Sequence, residues 1–292
     1  MTPSVAYQGL PGAFGEEAII GYFGEAATEP IPMPTFSAVC AAVEAGRVDA
    51  GILPLENSVA GTVGDALDAL ADGALRVVGE VVLPVRHHLL ALPGVELGKI
   101  RRVASHWQAL AQCESFLSQR GWDVIAAADT AGAAQDLARS GDRSGAAIAS
   151  AAAATRHGLA VLAEDIQDDA ANLTRFAILA ADGAAEEAAA LPSPAGRLAP
   201  PIGLARATLL TFETGHAPGD LYRALGAFAE ARINMSRIES RPSGVTPWRY
   251  RFLVQVDGDE NREPLRGALD ALRNRTRSLR VLGSFDVAPE GA

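Results

Sequence analysis

Asp49-Ala50-Gly51-Ile52-Leu53-Pro54-Leu55-Glu56-Asn57-Ser58-Val59-Ala60-Gly61-Thr62-Val63 runs from an apolar segment through a polar cluster into a helical pattern that begins at Val63. A short apolar run bounded by turn residues reads as a buried strand, and a helix directly after it makes a β-then-α unit. The same order recurs on both sides. Upstream, 4–7 reads as a strand, 8–12 as a glycine turn and 14–23 as a helix, and Thr35 is placed to cap a helix over 36–45. Downstream, strands at 100–104, 122–127 and 145–148 alternate with helices opening at Ser105, Thr130 and Ser150. The apolar segment 77–92, broken at Arg86-His87-His88, reads as a crossover between two layers, with one histidine in a cleft and the other solvated. This alternation predicts open, largely parallel sheets whose ligands sit beyond the carboxyl ends of strands, where each of these polar clusters falls.

Asn172-Leu173-Thr174-Arg175-Phe176 carries the most polar strand pattern. At the strand period of two, Asn172, Thr174 and Phe176 share one face while Leu173 and Arg175 take the other. An amide, a hydroxyl and a phenyl ring together either wall a small, oxygen-rich ligand or are the satisfied groups of an edge strand. The residues alone leave both readings open.

A chain of 292 residues, 49% hydrophobic and 21% charged, suits two soluble domains with cores of their own. The formal charge of −10 is uneven: 206–292 holds 13 Arg against 11 acids, so the acidic excess belongs to the first 205 residues. An acidic body without a basic stripe argues against nucleic acid or a membrane surface as partner, and no apolar run approaches the roughly 20 residues of a membrane span. Cys40 and Cys113 lack CxxC partners and the N-terminus lacks a signal pattern, which together predict a cytoplasmic chain with reduced thiols. The five histidines show no metal-ligand spacing, so no metal is expected. Gly9, Gly12 and Gly15 do not form GxGxxG, although they leave room for backbone amides to meet a carboxylate.

Residues 183–205, rich in Ala, Pro and Gly, read as a linker. Beyond it, strands at 208–213, 234–239, 248–256 and 279–287 and helices at 220–231 and 264–273 follow the order βαββαβ of a ferredoxin-like unit.

The segments YQGLPGAFGEEA, LPLENSVAGTV, VVGEVVLPVRHHLLALPG, SHWQALAQC and DDAANLTRF resemble, in order, the motifs of the prephenate dehydratase family. INMSRIESRP resembles the signature of the ACT regulatory domain. The resemblance implies an α/β chain: a two-lobed, periplasmic-binding-protein-like catalytic domain over 1–182, the linker 183–205, and a ferredoxin-like ACT domain over 206–287. The lobes would span roughly 1–80 with 165–182, and 81–164. The implied activity is the cofactor-free conversion of prephenate to phenylpyruvate, water and carbon dioxide in phenylalanine biosynthesis. Regulation by L-phenylalanine in a homodimer or homotetramer would accompany it. Arogenate dehydratases share these motifs, and a non-catalytic amino-acid sensor is the competing class. Carried over by position, the catalytic threonine is Thr174, and Asn57, Ser58, Ser105, Gln108, Arg175 and Phe176 are the substrate-binding candidates. The effector candidates are Gly219, Leu221, Asn234, Met235, Glu239, Ser240, Arg241 and Pro242. Two positions depart from the pattern: Trp107 replaces a proline before Gln108, and Asp220 replaces an alanine, either to serve a helix start or at a cost to effector binding. With the chemistry on one side of the linker, a chain ending near Gly183 is expected to keep turnover and lose the phenylalanine response.

Overall fold

The computed structural model describes residues 2–184, 206–243 and 248–287 and builds them into three sheets. Strands β1 (Ser4–Gln8), β2 (Glu29–Met33), β3 (Ala50–Asn57), β4 (Gly61–Thr62) and β5 (Leu75–Pro84) alternate with helices α1 (Phe14–Phe23), α2 (Phe36–Glu44) and α3 (Gly64–Asp72). The chain then crosses to β6 (His88–Ala91), β7 (Arg102–His106), β8 (Asp123–Ala127), β9 (Gly145–Ala149) and β10 (Ala160–Ala163). Helices α4 (Trp107–Ala111), α5 (Glu114–Ser118), α6 (Thr130–Ser140) and α7 (Ala151–His157) lie between β7 and β10, and β11 (Leu173–Ala181) returns to the first sheet. The first sheet has the order β2-β1-β3-β11-β5 with β4 on β3, and the second β10-β6-β9-β7-β8. Two passages join these lobes side by side, tied by Val85 N to Asn172 O at 2.8 Å and Ile166 N to His87 O at 2.9 Å.

Both sheets are mixed, not largely parallel. β1 runs parallel to β2 and β3, and β7 to β8 and β9, as β-α crossovers require. β11, however, is antiparallel to both β3 and β5. The cause is topological: β5 leaves the lobe and β11 re-enters it from the end where β5 left. The return also sets β11 between β3 and β5, so the Asn172–Phe176 stretch opens a central strand and the edge-strand reading fails.

The third sheet comprises β12 (Arg206–Glu213), β13 (Met235–Pro242), β14 (Tyr250–Asp257) and β15 (Ser278–Asp286), with helices α8 (Asp220–Glu230) and α9 (Leu265–Arg275). Its order, β13-β14-β12-β15, with every pair antiparallel, is the ferredoxin-like arrangement. Of the expected linker, 182–184 form a short 3-10 turn and the remainder up to 205 lies outside the described residues. One face of the sheet packs on α8 and α9 through Leu210, Phe212, Val254 and Val256. Its other face is equally apolar: Ala207, Leu209, Leu253, Leu282 and Phe285 share one core with Val43, Leu67, Leu70, Leu75 and Val77 of the first lobe. Strand alternation lets β12 serve both cores, with Leu209 toward the lobe and Leu210 toward the helices.

At this junction β15 passes β5 so closely that a Cβ on Gly283, whose φ is +144°, would stand 2.2 Å from the Val77 carbonyl oxygen. Replacing Gly283 with Ala is expected to lower the melting temperature by about 5 °C or more, the effect of an overpacked contact joined to an unfavourable φ. Thermal denaturation checks this, and an unchanged melting point would mean that the two units do not meet there.

Candidate active site

A cavity of about 710 Å³ opens between the two lobes, within the range of small-molecule sites. Its walls come from strand ends and the helix starts beyond them: Gln8 at the end of β1, Thr35 and Ser37 at α2, Asn57 at the end of β3, Gln108 in α4, Asp129 at α6. The connecting passages and β11 add Val85, His87, Thr174 and Phe176. Among the described residues, no lysine or arginine lines it.

Thr174 is buried, and its Oγ1 accepts a 2.9 Å hydrogen bond from Asn57 Nδ2. The orientation of that amide follows from its partners. Asn57 Oδ1 accepts the backbone N–H groups of Val59, at 3.1 Å, and Ala60, at 2.8 Å, so the nitrogen end must face Thr174. Nδ2 also donates to Asn172 Oδ1 at 2.6 Å and to the Leu173 carbonyl at 3.1 Å. Accepting from Asn57 leaves the Thr174 proton available for the cavity. Phe176, buried beside it, supplies the apolar wall together with Phe14.

Gln108 lines the cavity. Ser58, Ser105 and Arg175 do not. The Ser58 hydroxyl donates to the Ala171 carbonyl at 3.0 Å and accepts from Leu173 N at 2.9 Å, clamping the turn after β3 to the start of β11. Ser105 Oγ donates to the Ile148 carbonyl at 2.6 Å within the second sheet, and it is His106 whose Nδ1 caps α4, accepting from Gln108 N at 3.4 Å. Arg175 turns to the far side of β11, its Nη1 3.6 Å from Glu80 Oε2, because neighbouring strand residues face opposite ways. The exchanged Trp107 is exposed and leaves Gln108 in place.

Two features go beyond the sequence reading, which set one of the adjacent histidines in a cleft without saying which. His87 is buried in the connecting passage, edge-on to Phe14 at 5.6 Å, with Nε2 2.9 Å from Gln112 Oε1. Burial holds its imidazole below the usual histidine range, so at neutral pH it is uncharged. Its neighbour His88 is buried too, not solvated, and its Nδ1 accepts from Asp165 N at 3.2 Å. The second feature is a clasp across the lobes. Ser150 Oγ donates to the Gly12 carbonyl at 2.8 Å, Arg156 pairs with the buried Glu16, and Glu16 in turn accepts from Gly12 N at 2.5 Å. Gly12 has φ +94° and lies so near α7 that a Cβ would meet Ala153 Cα at 2.6 Å. The recurrence of polar groups at strand ends was the available signal for both.

The effector candidates divide. Glu239 and Arg241 point toward the body of the protein, Met235 packs on the core under α8 and α9 because the strand bulges between Met235 and Arg237, and Ser240 and Pro242 are exposed on the face of β13 away from the body. Gly219 begins α8 at φ +82°, Leu221 packs on the ACT core, and Asn234 is exposed with its carbonyl accepting from Asp257 N at 3.1 Å. Asp220 serves the helix start: its carboxylate accepts from Ala217 N at 2.7 Å and from Arg223. The Ala217 amide, with the Arg223 charge adding to it, holds that carboxyl below the usual range.

Residues 5–184 match the family model of prephenate dehydratase. Arogenate dehydratase/prephenate dehydratase 2 of Arabidopsis thaliana is 39% identical over 292 residues, covering 97% of this chain and 72% of that protein. The bifunctional N-acyl-homoserine lactone acylase/prephenate dehydratase of Komagataeibacter europaeus is 35% identical over 285 residues, covering 98% and 96%. Among solved structures, prephenate dehydratase from Arthrobacter aurescens in complex with L-Phe superposes with a TM-score of 0.84 at 33% identity, covering 98% of this chain and 90% of that one.

Proposed function

The chain belongs to the prephenate dehydratase family, and from that premise we propose that it turns prephenate into phenylpyruvate, water and carbon dioxide. The observation that carries this reading is the Thr174 hydroxyl, which lines a cavity walled by Phe14 and Phe176 and accepts from Asn57, so that its own proton is not spent on that amide. Loss of the ring carboxylate and the C4 hydroxyl leaves an aromatic ring, so much of the driving force resides in the substrate and a strong acid is unnecessary. A threonine hydroxyl can donate to the departing oxygen as charge develops on it. The electron pair of the broken C–CO₂ bond becomes ring π density and completes the aromatic ring as the C4–O bond breaks, the oxygen leaves as water, and Thr174 regains its proton from solvent. A cation on the ring carboxylate would stabilise the charge that decarboxylation must remove. The lining supports this chemistry with neutral donors: Gln8, Ser37, Gln108 and the first turns of α1 and α2.

Arogenate is the second reading. Asp65 and Asp129 line the cavity, with no lysine or arginine among the described lining residues, an environment that accommodates the ammonium group by which arogenate differs from prephenate. The relative from Arabidopsis thaliana carries both activities in its name.

For regulation, L-phenylalanine would bind between the ACT units of two chains at Gly219, Leu221, Asn234, Ser240 and Pro242. The edge position of β13 and the exposed Ile238 and Tyr250 beside these residues support such a dimer. Buried, unpaired Cys40 and Cys113 support a reducing compartment, the cytoplasm.

Product formation from prephenate and from arogenate, supplied in parallel without metal or nucleotide and with and without EDTA, tests the reading. Turnover of at least one substrate, insensitive to chelator, is expected. A folded protein inert toward both would leave an amino-acid sensor, and loss of activity in EDTA would overturn the cofactor-free mechanism.

A further inference from the structure

Along β13, Arg237, Glu239 and Arg241 project to one side, as strand period requires, and all three meet the same stretch of the first lobe. Arg237 Nη2 donates to the Leu55 carbonyl at 2.9 Å and stands 3.4 Å from Glu56 Oε2. Glu239 accepts the Thr62 hydroxyl. Arg241 grips Asp68 through Nε at 2.9 Å and Nη2 at 2.5 Å. This stretch is the hairpin of β3 and β4 with the start of α3, and its other side presents Pro54, Asn57, Val63 and Asp65 to the cavity. The effector strand is therefore the backing of the active-site wall.

Arg237 is the residue whose presence most needs a reason. Its guanidinium is buried, with a side-chain exposure of 6%, and among the described residues Nε and Nη1 find no hydrogen-bond partner. Burying an incompletely paired charge is unfavourable, and an apolar side chain of similar volume serves stability as well or better. What the guanidinium does supply is direction. The Leu55 carbonyl receives both Arg237 and Val63 N, at 3.1 Å, which closes the hairpin. Two residues further on, Asn57 lies in the same hairpin, paired with Gly61, its amide on Thr174.

We propose that Arg237 is a positioning residue for the dehydration: from the ACT domain it fixes the Leu55 carbonyl, and through the hairpin it holds Asn57 against Thr174. The inference rests on the dehydratase reading. It makes turnover depend on a side chain absent from the cavity lining, and it gives the ACT domain a physical hold on the chemistry. A ligand on the exposed face of β13 that displaced the strand would act on the Thr174 hydroxyl through this contact, while Glu239 on Thr62 and Arg241 on Asp68 carried the same displacement into the hairpin and α3.

The test is a double-mutant cycle on the full chain, comparing wild type, Arg237→Met, Asn57→Ala and the double variant, with Arg237→Lys as a conservative control. Kinetics and melting temperature are measured on each. Arg237→Met is expected to keep its melting temperature and KM within about twofold while kcat falls about tenfold, since small misplacements remote from the chemistry are costly there. Arg237→Lys should recover part of the rate. In the Asn57→Ala background the further loss should be under about twofold, because the route through Asn57 is already cut. Normal wild-type turnover with additive losses, or an Arg237→Met variant that is folded and fully active, would overturn the proposal. If Arg237→Met does not fold, the cycle is read with Arg237→Lys, and equal rates for Arg237→Lys and wild type would count against it. A folded wild-type protein without turnover on either substrate marks the failure of the dehydratase reading itself.

Discussion

Thr174→Ala is expected to lower kcat by about 10²–10⁴, the range for a lost general acid, with a much smaller change in KM. The hydroxyl proposed to assist the leaving oxygen acts as charge develops, so its loss falls on the transition state more than on the bound substrate. Thr174→Val tests this most cleanly: it keeps the branched shape of a central strand residue and removes only the proton donor. Thr174→Ser should recover part of the rate, since Asn57 Nδ2 can still donate to a serine oxygen placed near the same point, 2.9 Å away in the native site. Steady-state kinetics on whichever substrate the wild type uses decide the matter. Near-normal kcat in folded Thr174→Val would return Thr174 to a structural role and shift the search to Gln108 and His87, the next polar groups of the lining.

Removal of the ACT domain is the second large effect, and here the structure reverses the expectation drawn from the linker. A chain ending at Asp182 leaves uncovered the lobe surface on which Leu209, Leu253, Leu282 and Phe285 pack, four side chains that are 2% exposed or less. Burying each is worth about 1.5–3 kcal/mol, so together they rival the 5–15 kcal/mol that ordinarily separates a folded chain from an unfolded one. Ion pairs are lost as well, among them Arg241 with Asp68 and Arg251 with Asp72. The truncated chain is expected to aggregate or to melt well below the full protein, and its turnover to fall with the folded fraction. Light scattering and thermal denaturation of the two chains measure this. A truncation that is monodisperse, melts normally and turns over at the full rate would show that the shared core contributes little. Substitutions at exposed Ser240 and Pro242 are the sounder means of testing the phenylalanine response, because neither side chain belongs to that core.

Much of the chain was legible in its pattern. The buried run of β3, the amphipathic α6 and the alternation of β14 are local signals, repeating every two or 3.6 residues, and each element lies where its period predicts. The same period placed Thr174 and Arg175 on opposite faces, and the motifs in series identified the family. The partner of a polar side chain is a different matter. Ser58 and Ser105 sit at strand ends like Asn57, yet both hydroxyls are taken by backbone carbonyls, of Ala171 and Ile148, at 113 and 43 positions' distance in sequence. Asn57 differs because its own turn occupies its oxygen and leaves the nitrogen for Thr174.

The sequence by itself determined the order of most elements, though not β2, β4 or β10, the ferredoxin-like unit and the facing of strand residues away from bulges, since these follow from backbone periodicity within a few residues. Tertiary structure alone decided that β11 returns antiparallel into the middle of the first sheet, that Asn57 and not Ser58 reaches Thr174, and that the ACT sheet seals the lobe. The reason is one of range: hydrogen bonds of about 3 Å and close-packed cores select among groups brought together by the whole chain, and no local period encodes which of them will arrive.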